Sequence, residues 1–169
     1  MMRALVIYET MFGNTRRIAE AVAEGMRDGA RVDVVDVTDA PAEVSPEVGL
    51  VVVGGPTRAF SMSRYSTRRE AAHRGGRVAD LPRGIRDWLS DLPSGEQPQA
   101  FAAFDTRVDM PLMPGAASRS ATRAARRKGF TRTVDPESFL VEGYEGPLVD
   151  GELDRALAWG HSLTAGPAE

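Results

Sequence analysis

The sequence predicts an α/β fold: a five-stranded parallel sheet with helices on both faces. Three observations predict it. Ala4–Tyr8 and Val48–Val53 are apolar throughout, as strands buried on both faces must be. Between such runs lie stretches with a helical period, as in Ile18, Ala21, Val22, Gly25 and Met26. The two patterns alternate along the chain, and alternation is the signature of a parallel sheet wrapped by its own crossovers.

Each element follows in order. Arg3–Tyr8 is the first strand, and the first helix begins near Thr15. Val32–Val37 partly alternates and reads as an edge strand. Pro41–Val48 is a short connection with weak helix character. Val48–Val53, stopped by Gly54-Gly55-Pro56, is the strongest strand signal. From Thr57 to Arg83 no period holds, and arginines at 58, 64, 68, 69, 74 and 77 stand among small and hydroxyl residues, with helical character around Ser66–Arg74. Such a run reads first as a solvated surface, but a loop of this length is commonly functional. Ile85, Trp88, Leu89 and Leu92 share a helical face, with Trp88 in the core. Ala100–Phe104 is the fourth strand, followed by a loop from Asp105 to Gly115. Ser118–Lys128 is a basic helix. Phe130–Val134 and Ser138–Val141 are two parts of a final strand, split at Asp135-Pro136. Asp150 is the expected cap of the last helix, whose apolar face is Leu153, Ala156, Leu157, Gly160 and Leu163. Residues 1–164 form one domain on this reading, with a frayed tail at 165–169.

Composition narrows the chemistry. The 169 residues include no cysteine, which excludes disulfides, thiolate nucleophiles, iron–sulfur ligation and thiolate zinc sites. Redox chemistry would need a bound organic cofactor. A net charge of −3 does not point to nucleic acid. No run approaches the ~20 apolar residues of a membrane span, so a cytoplasmic location is expected. His73 and His161 lie far apart, and no hydrolytic constellation stands out.

The loop Thr10-Met11-Phe12-Gly13-Asn14-Thr15 lies between the first strand and the first helix. Free N–H groups and the positive end of the helix dipole make that place an anion site, most simply for phosphate. Thr10 and Thr15 add hydroxyls, Asn14 an amide, and Gly13 permits positive φ. The loop lacks the lysine of a Walker A motif and the pattern of a dinucleotide fingerprint, which argues against NTP hydrolysis. The bland alternative is an ordinary turn capped by Thr15. Arg16 and Arg17 oppose the helix dipole, a conflict that a bound anion would remove.

Glu9 to Thr15 resembles the FMN phosphate loop of the flavodoxin family, in its aromatic variant [ST]-x-[YF]-G-x-T. Gly54-Gly55-Pro56-Thr57 resembles the family's G-x-P-T beside the isoalloxazine ring, and Phe104-Asp105-Thr106-Arg107 falls where its third loop meets the pyrimidine end. The resemblance spans Arg3 to Leu163 and implies a flavodoxin-like three-layer sandwich of strand order 2-1-3-4-5. It implies that Thr10, Met11, Phe12, Gly13, Asn14 and Thr15 wrap the phosphate. Pro56, Thr57, Arg58, Ala59 and Phe60 would then lie along the ring, with Asp105, Thr106 and Arg107 at its far end. Phe12 takes the place of a hydroxyl residue in many flavodoxins. The third loop lacks an aromatic, leaving Phe60 and Tyr65 as candidates for stacking. A phospho-receiver domain shares this strand order, but Glu9 stands alone and Gly54 replaces its acid.

The function expected from the resemblance is an FMN-binding electron carrier with no catalytic side chains of its own, serving a redox partner protein or a small-molecule acceptor. The alternatives are an FMN-dependent oxidoreductase acting on a quinone, a porphyrinogen or NAD(P)H, and a binding module that retains flavin weakly or not at all.

Overall fold

The computed structural model describes residues 1–59, 61–76, 83–110, 112 and 114–165. In chain order the elements are β1 (Met2–Tyr8), α1 (Asn14–Met26), β2 (Ala30–Asp36), a 3-10 turn at Val37–Asp39, β3 (Val48–Arg58), β4 (Ser61–Met62), α2 (Tyr65–His73), α3 (Ile85–Asp91), β5 (Gln97–Val108), α4 (Ala117–Lys128), β6 (Phe130–Thr133), β7 (Glu137–Val141) and α5 (Glu152–Thr164). The main sheet runs β2-β1-β3-β5-β6 and every pair in it is parallel, while β7 also pairs with β5. This is the expected order 2-1-3-4-5, with the fifth position shared by two short strands.

The split falls at Asp135-Pro136. β6 lies along Gln97–Phe101 and β7 along Phe104–Val108. Proline has no N–H to give to a ladder, so the chain breaks there and resumes one step further along β5.

Side chains alternate between two apolar layers. Ala4, Val6, Leu50, Val52, Ala102 and Phe104 face α1 and α5. Leu5, Ile7, Val51, Val53, Phe101 and Ala103 face α3 and α4, together with buried Trp88, whose indole N–H donates to Pro41 O (2.8 Å). The helices α1 and α5 cross in direct backbone contact. A Cβ on Gly25 would stand 2.0 Å from Leu157 O, and one on Gly160 would stand 2.0 Å from Val22 O.

Four expectations need correction. Asp105, Thr106 and Arg107 belong to β5 rather than to a loop, because β3 and β7 run alongside and supply hydrogen bonds as far as Val108. Gly54–Arg58 likewise extends β3, which then turns back into β4. The cap of α5 is Gly151 at φ 89°, not Asp150. Leu157 is 45% exposed, since the close crossing admits only small residues such as Ala156 and Gly160 on the face toward α1. Most of the tail expected to fray lies outside the described residues.

Candidate cofactor site

In a parallel sheet every strand delivers its following loop to the same edge, and ligands settle there where the connections diverge to opposite faces. Here that edge carries a cleft of about 240 Å³. Thr10, Met11, Phe12, Asn14 and Thr15 line it from the first loop, Pro56, Thr57, Arg58 and Ala59 from the end of β3, and Thr106 and Arg107 from β5. Gly13 faces a neighbouring, more polar cleft on the other side of the loop, beside Arg16 and Asp36. Asp105 lies beneath the wall, fully buried, because strand alternation turns it toward α4 while Thr106 faces α1. Phe60 lies outside the described residues. Tyr65 is 53% exposed on α2 and does not line the cleft.

The first loop is held from inside. Gly13 takes φ 94°, and its N–H donates to Thr10 Oγ1 (2.9 Å). The buried hydroxyls of Thr15 and Thr106 share a hydrogen bond of 2.8 Å. Asn14 Nδ2 donates to Glu145 O (2.9 Å), tying the loop after β7 to the start of α1. Thr15 therefore does not cap the helix.

The N-termini of α4 and α1 both reach this edge, and they differ. At α4 the Ala117 N–H donates to Thr57 Oγ1 and the Ser118 N–H to Asp105 Oδ2, both at 2.9 Å. That end is closed. At α1 the cap is Gly13, and no side chain among the described residues accepts from the first turn. The open helix end on the cleft is α1's, with its unpaired N–H groups and positive dipole.

Charge beside the cleft is arranged in two groups. Glu9 is buried at the end of β1, where Ser63 Oγ donates to Oε2 and the Ile85 N–H to Oε1 (2.9 Å). Ser63 accepts from Arg68 (2.9 Å), which also donates to Asp87 Oδ2 (3.0 Å). Arg68 is only 2% exposed, so this arginine of the 58–77 run is a core strut rather than a solvated charge. Burial pushes the Glu9 carboxyl above the usual range, against the opposing pull of Ser63, Ile85 and Arg68. Burial likewise raises Asp105, against its bonds to Ser118.

The second group was not foreseen. Tyr144, from the loop after β7, lines the cleft with Val141, Gly143, Val108 and Met110. Its ring meets Phe12 edge-on at 5.7 Å, and the guanidinium carbons of Arg58 and Arg74 lie 4.4 and 4.1 Å from its centre. The available signal was topological: an aromatic among glycines, in a loop that must emerge at the same sheet edge as the other three. Burial lowers the Arg58 pKa, against the pull of Tyr144 and Glu9.

A flavodoxin family model matches residues 6–72. No curated protein matches the sequence. Among solved structures, an archaeal flavodoxin superposes with a TM-score of 0.64 at 21% identity, over 96% of each chain. Flavodoxin 1 of Bacillus cereus gives 0.64 at 16% identity over 94% of each. A WrbA-like flavodoxin of Agrobacterium tumefaciens gives 0.54 at 19% identity, over 97% of this chain and 96% of that one. The N-terminal match to the flavodoxin model and the superposition on solved flavodoxins together show a flavodoxin-like fold.

Proposed function

We propose that the chain binds FMN in this cleft and serves as an electron carrier. The observation that carries the reading is the open N-terminus of α1, ringed by Thr10 and Thr15 and meeting the ends of β3 and β5 in one cleft. This donor set suits a phosphate: main-chain N–H groups and hydroxyls, with no carboxylate among the cleft residues. Thr10, Asn14 and Thr15 would hold the phosphate, and Pro56 to Ala59 with Thr106 and Arg107 would flank the ring.

Bound FMN would supply one- and two-electron transfer, which no side chain of this chain can perform. The protein's part is to hold, orient and shield. Thr15 and Thr106 fix the floor of the cleft, and the Glu9–Ser63–Arg68 network braces β1 against the segment after β4. At about 240 Å³ the cleft lies below the ~300–1,000 Å³ of most small-molecule sites. Admitting the ring would therefore widen the cleft.

The electron would pass to a protein partner or a small acceptor, in a cytoplasmic setting on this reading. No helix among the described residues is long and apolar enough to cross a membrane. Visible absorption of the purified protein before and after FMN addition tests the reading. Bound FMN gives shifted flavin bands, and a spectrum equal to that of free FMN at saturating protein rejects it. An oxidoreductase acting on a quinone, a porphyrinogen or NAD(P)H is the second reading, favoured by the two arginines at the cleft mouth. Steady-state NAD(P)H oxidation with a quinone acceptor separates it from a carrier.

A further inference from the structure

We propose that Arg58 and Arg74, gathered on the Tyr144 ring, form a phosphate subsite at the mouth of the cleft. Their guanidinium carbons can be no more than about 8.5 Å apart, the sum of their distances to the ring centre. Bringing two cations so close without an anion between them opposes itself electrostatically. Arg74 has one carboxylate, the exposed Glu70 at 3.0 Å. Arg58 has none. Among the described residues its contacts are the rings of Tyr144 and Phe12, the latter at 6.0 Å. It is half-buried at the end of β3 and lines the cleft. Partial burial costs the guanidinium some of its hydration, and cation–π contact recovers only part of that loss.

The location favours phosphate. Arg58 stands over Phe12, a member of the loop around the open end of α1 whose ring offers no hydroxyl. The Tyr144 loop is tied to Asn14 in the first turn of the same helix through Glu145 O. An oxyanion at that helix end would find two forked cations beside it, and guanidinium matches phosphate in both charge and geometry. The phosphate could be the flavin's own or that of a second ligand, such as a dinucleotide.

The test compares wild type, Arg58→Gln, Arg74→Gln and the remote control Arg123→Gln by calorimetry with four probes: FMN, riboflavin, inorganic phosphate, and NADPH added to FMN-loaded protein. If the subsite holds the flavin phosphate, each cleft variant loses about tenfold or more in FMN affinity while riboflavin is unchanged, and the loss shrinks at high salt. If it holds the phosphate of a second ligand, FMN is unchanged and NADPH weakens by that factor. The control stays at wild-type values in either case. Arginine-dependent uptake of inorganic phosphate by a protein that takes up no flavin would keep the subsite and reject the FMN reading. Two results overturn the proposal: no change for any phosphate-bearing probe in folded variants, or equal losses for FMN and riboflavin. Arg74 is largely exposed at the end of α2, so its variant tests the subsite even if Arg58→Gln fails to fold.

Discussion

Replacing Thr15 by valine keeps the shape of the side chain and removes one hydroxyl. In the free protein that hydroxyl bonds Thr106 at 2.8 Å, with both residues buried. Its loss leaves a buried hydroxyl on β5 without that partner, a cost of roughly 1–3 kcal/mol. For a chain of this length each kcal/mol moves the melting midpoint by about 2–4 °C, so a drop of about 2–12 °C is expected. Flavin binding has a separate signature. A hydrogen bond to a charged phosphate contributes about 1.5–3 kcal/mol, or roughly ten- to a hundredfold in affinity. Fluorescence-quenching titrations of Thr15→Val should show that loss for FMN, with riboflavin binding within about twofold of wild type. Thr15→Val/Thr106→Val should regain part of the melting temperature and none of the FMN affinity. Equal losses for FMN and riboflavin would show that the first loop does not serve a phosphate, and the assignment of the α1 N-terminus would fall.

Gly160→Ala puts a methyl 2.0 Å from Val22 O and should cost about 1–3 kcal/mol in urea unfolding despite alanine's better helix propensity; an unchanged midpoint would contradict the close crossing. Glu9 is raised above 4.5 by burial, so the folded state binds the extra proton. Its contribution is fully present below 4.5 and is lost as pH rises through the folded value. The stability of Glu9→Gln relative to wild type should therefore increase with pH across that window, and a flat difference would refute the burial argument. Glu152 has the opposite sign. Hydrogen bonds from Arg155 hold its pKa down, and Leu140 N–H adds to them, so its stabilisation is present above 4.5 and lost as pH falls through the folded value. Glu152→Gln should flatten that acid limb in denaturation measured from pH 6 to pH 2.

The strands that read clearly in the sequence are those buried on both faces. β1 and β3 are apolar runs because helices cover them on either side, and burial leaves that mark in composition. Asp135-Pro136 reported a true break, since a missing N–H is written directly in the residue type. The outer halves of β3 and β5 left no such mark. Asp105 and Thr106 are strand residues because β3 and β7 flank them, a tertiary fact with no local propensity behind it. The phosphate-loop candidates were legible because a strand, a glycine and a helix fix their geometry within a few residues. Tyr144 was not, because its partners Phe12, Arg58 and Arg74 are 70 or more residues away in the chain and only the assembled sheet brings them together.

Unequal strand length gives the sheet edge a terrace. β1 stops at Tyr8, opposite Gly54, while β3 climbs four residues further to Arg58. At about 3.3 Å per residue that riser is about 13 Å high, and β5 climbs beside it. The first loop rests on the lower tread, and Pro56, Thr57 and Arg58 form the riser. An elongated ligand with an anionic foot and a flat body fits such a step lengthwise, foot on the tread and body against the riser. A short anion would occupy the tread alone and leave the riser exposed to water. On the proposed reading the step would act as a backbone ruler for ligand length before any side chain contributes.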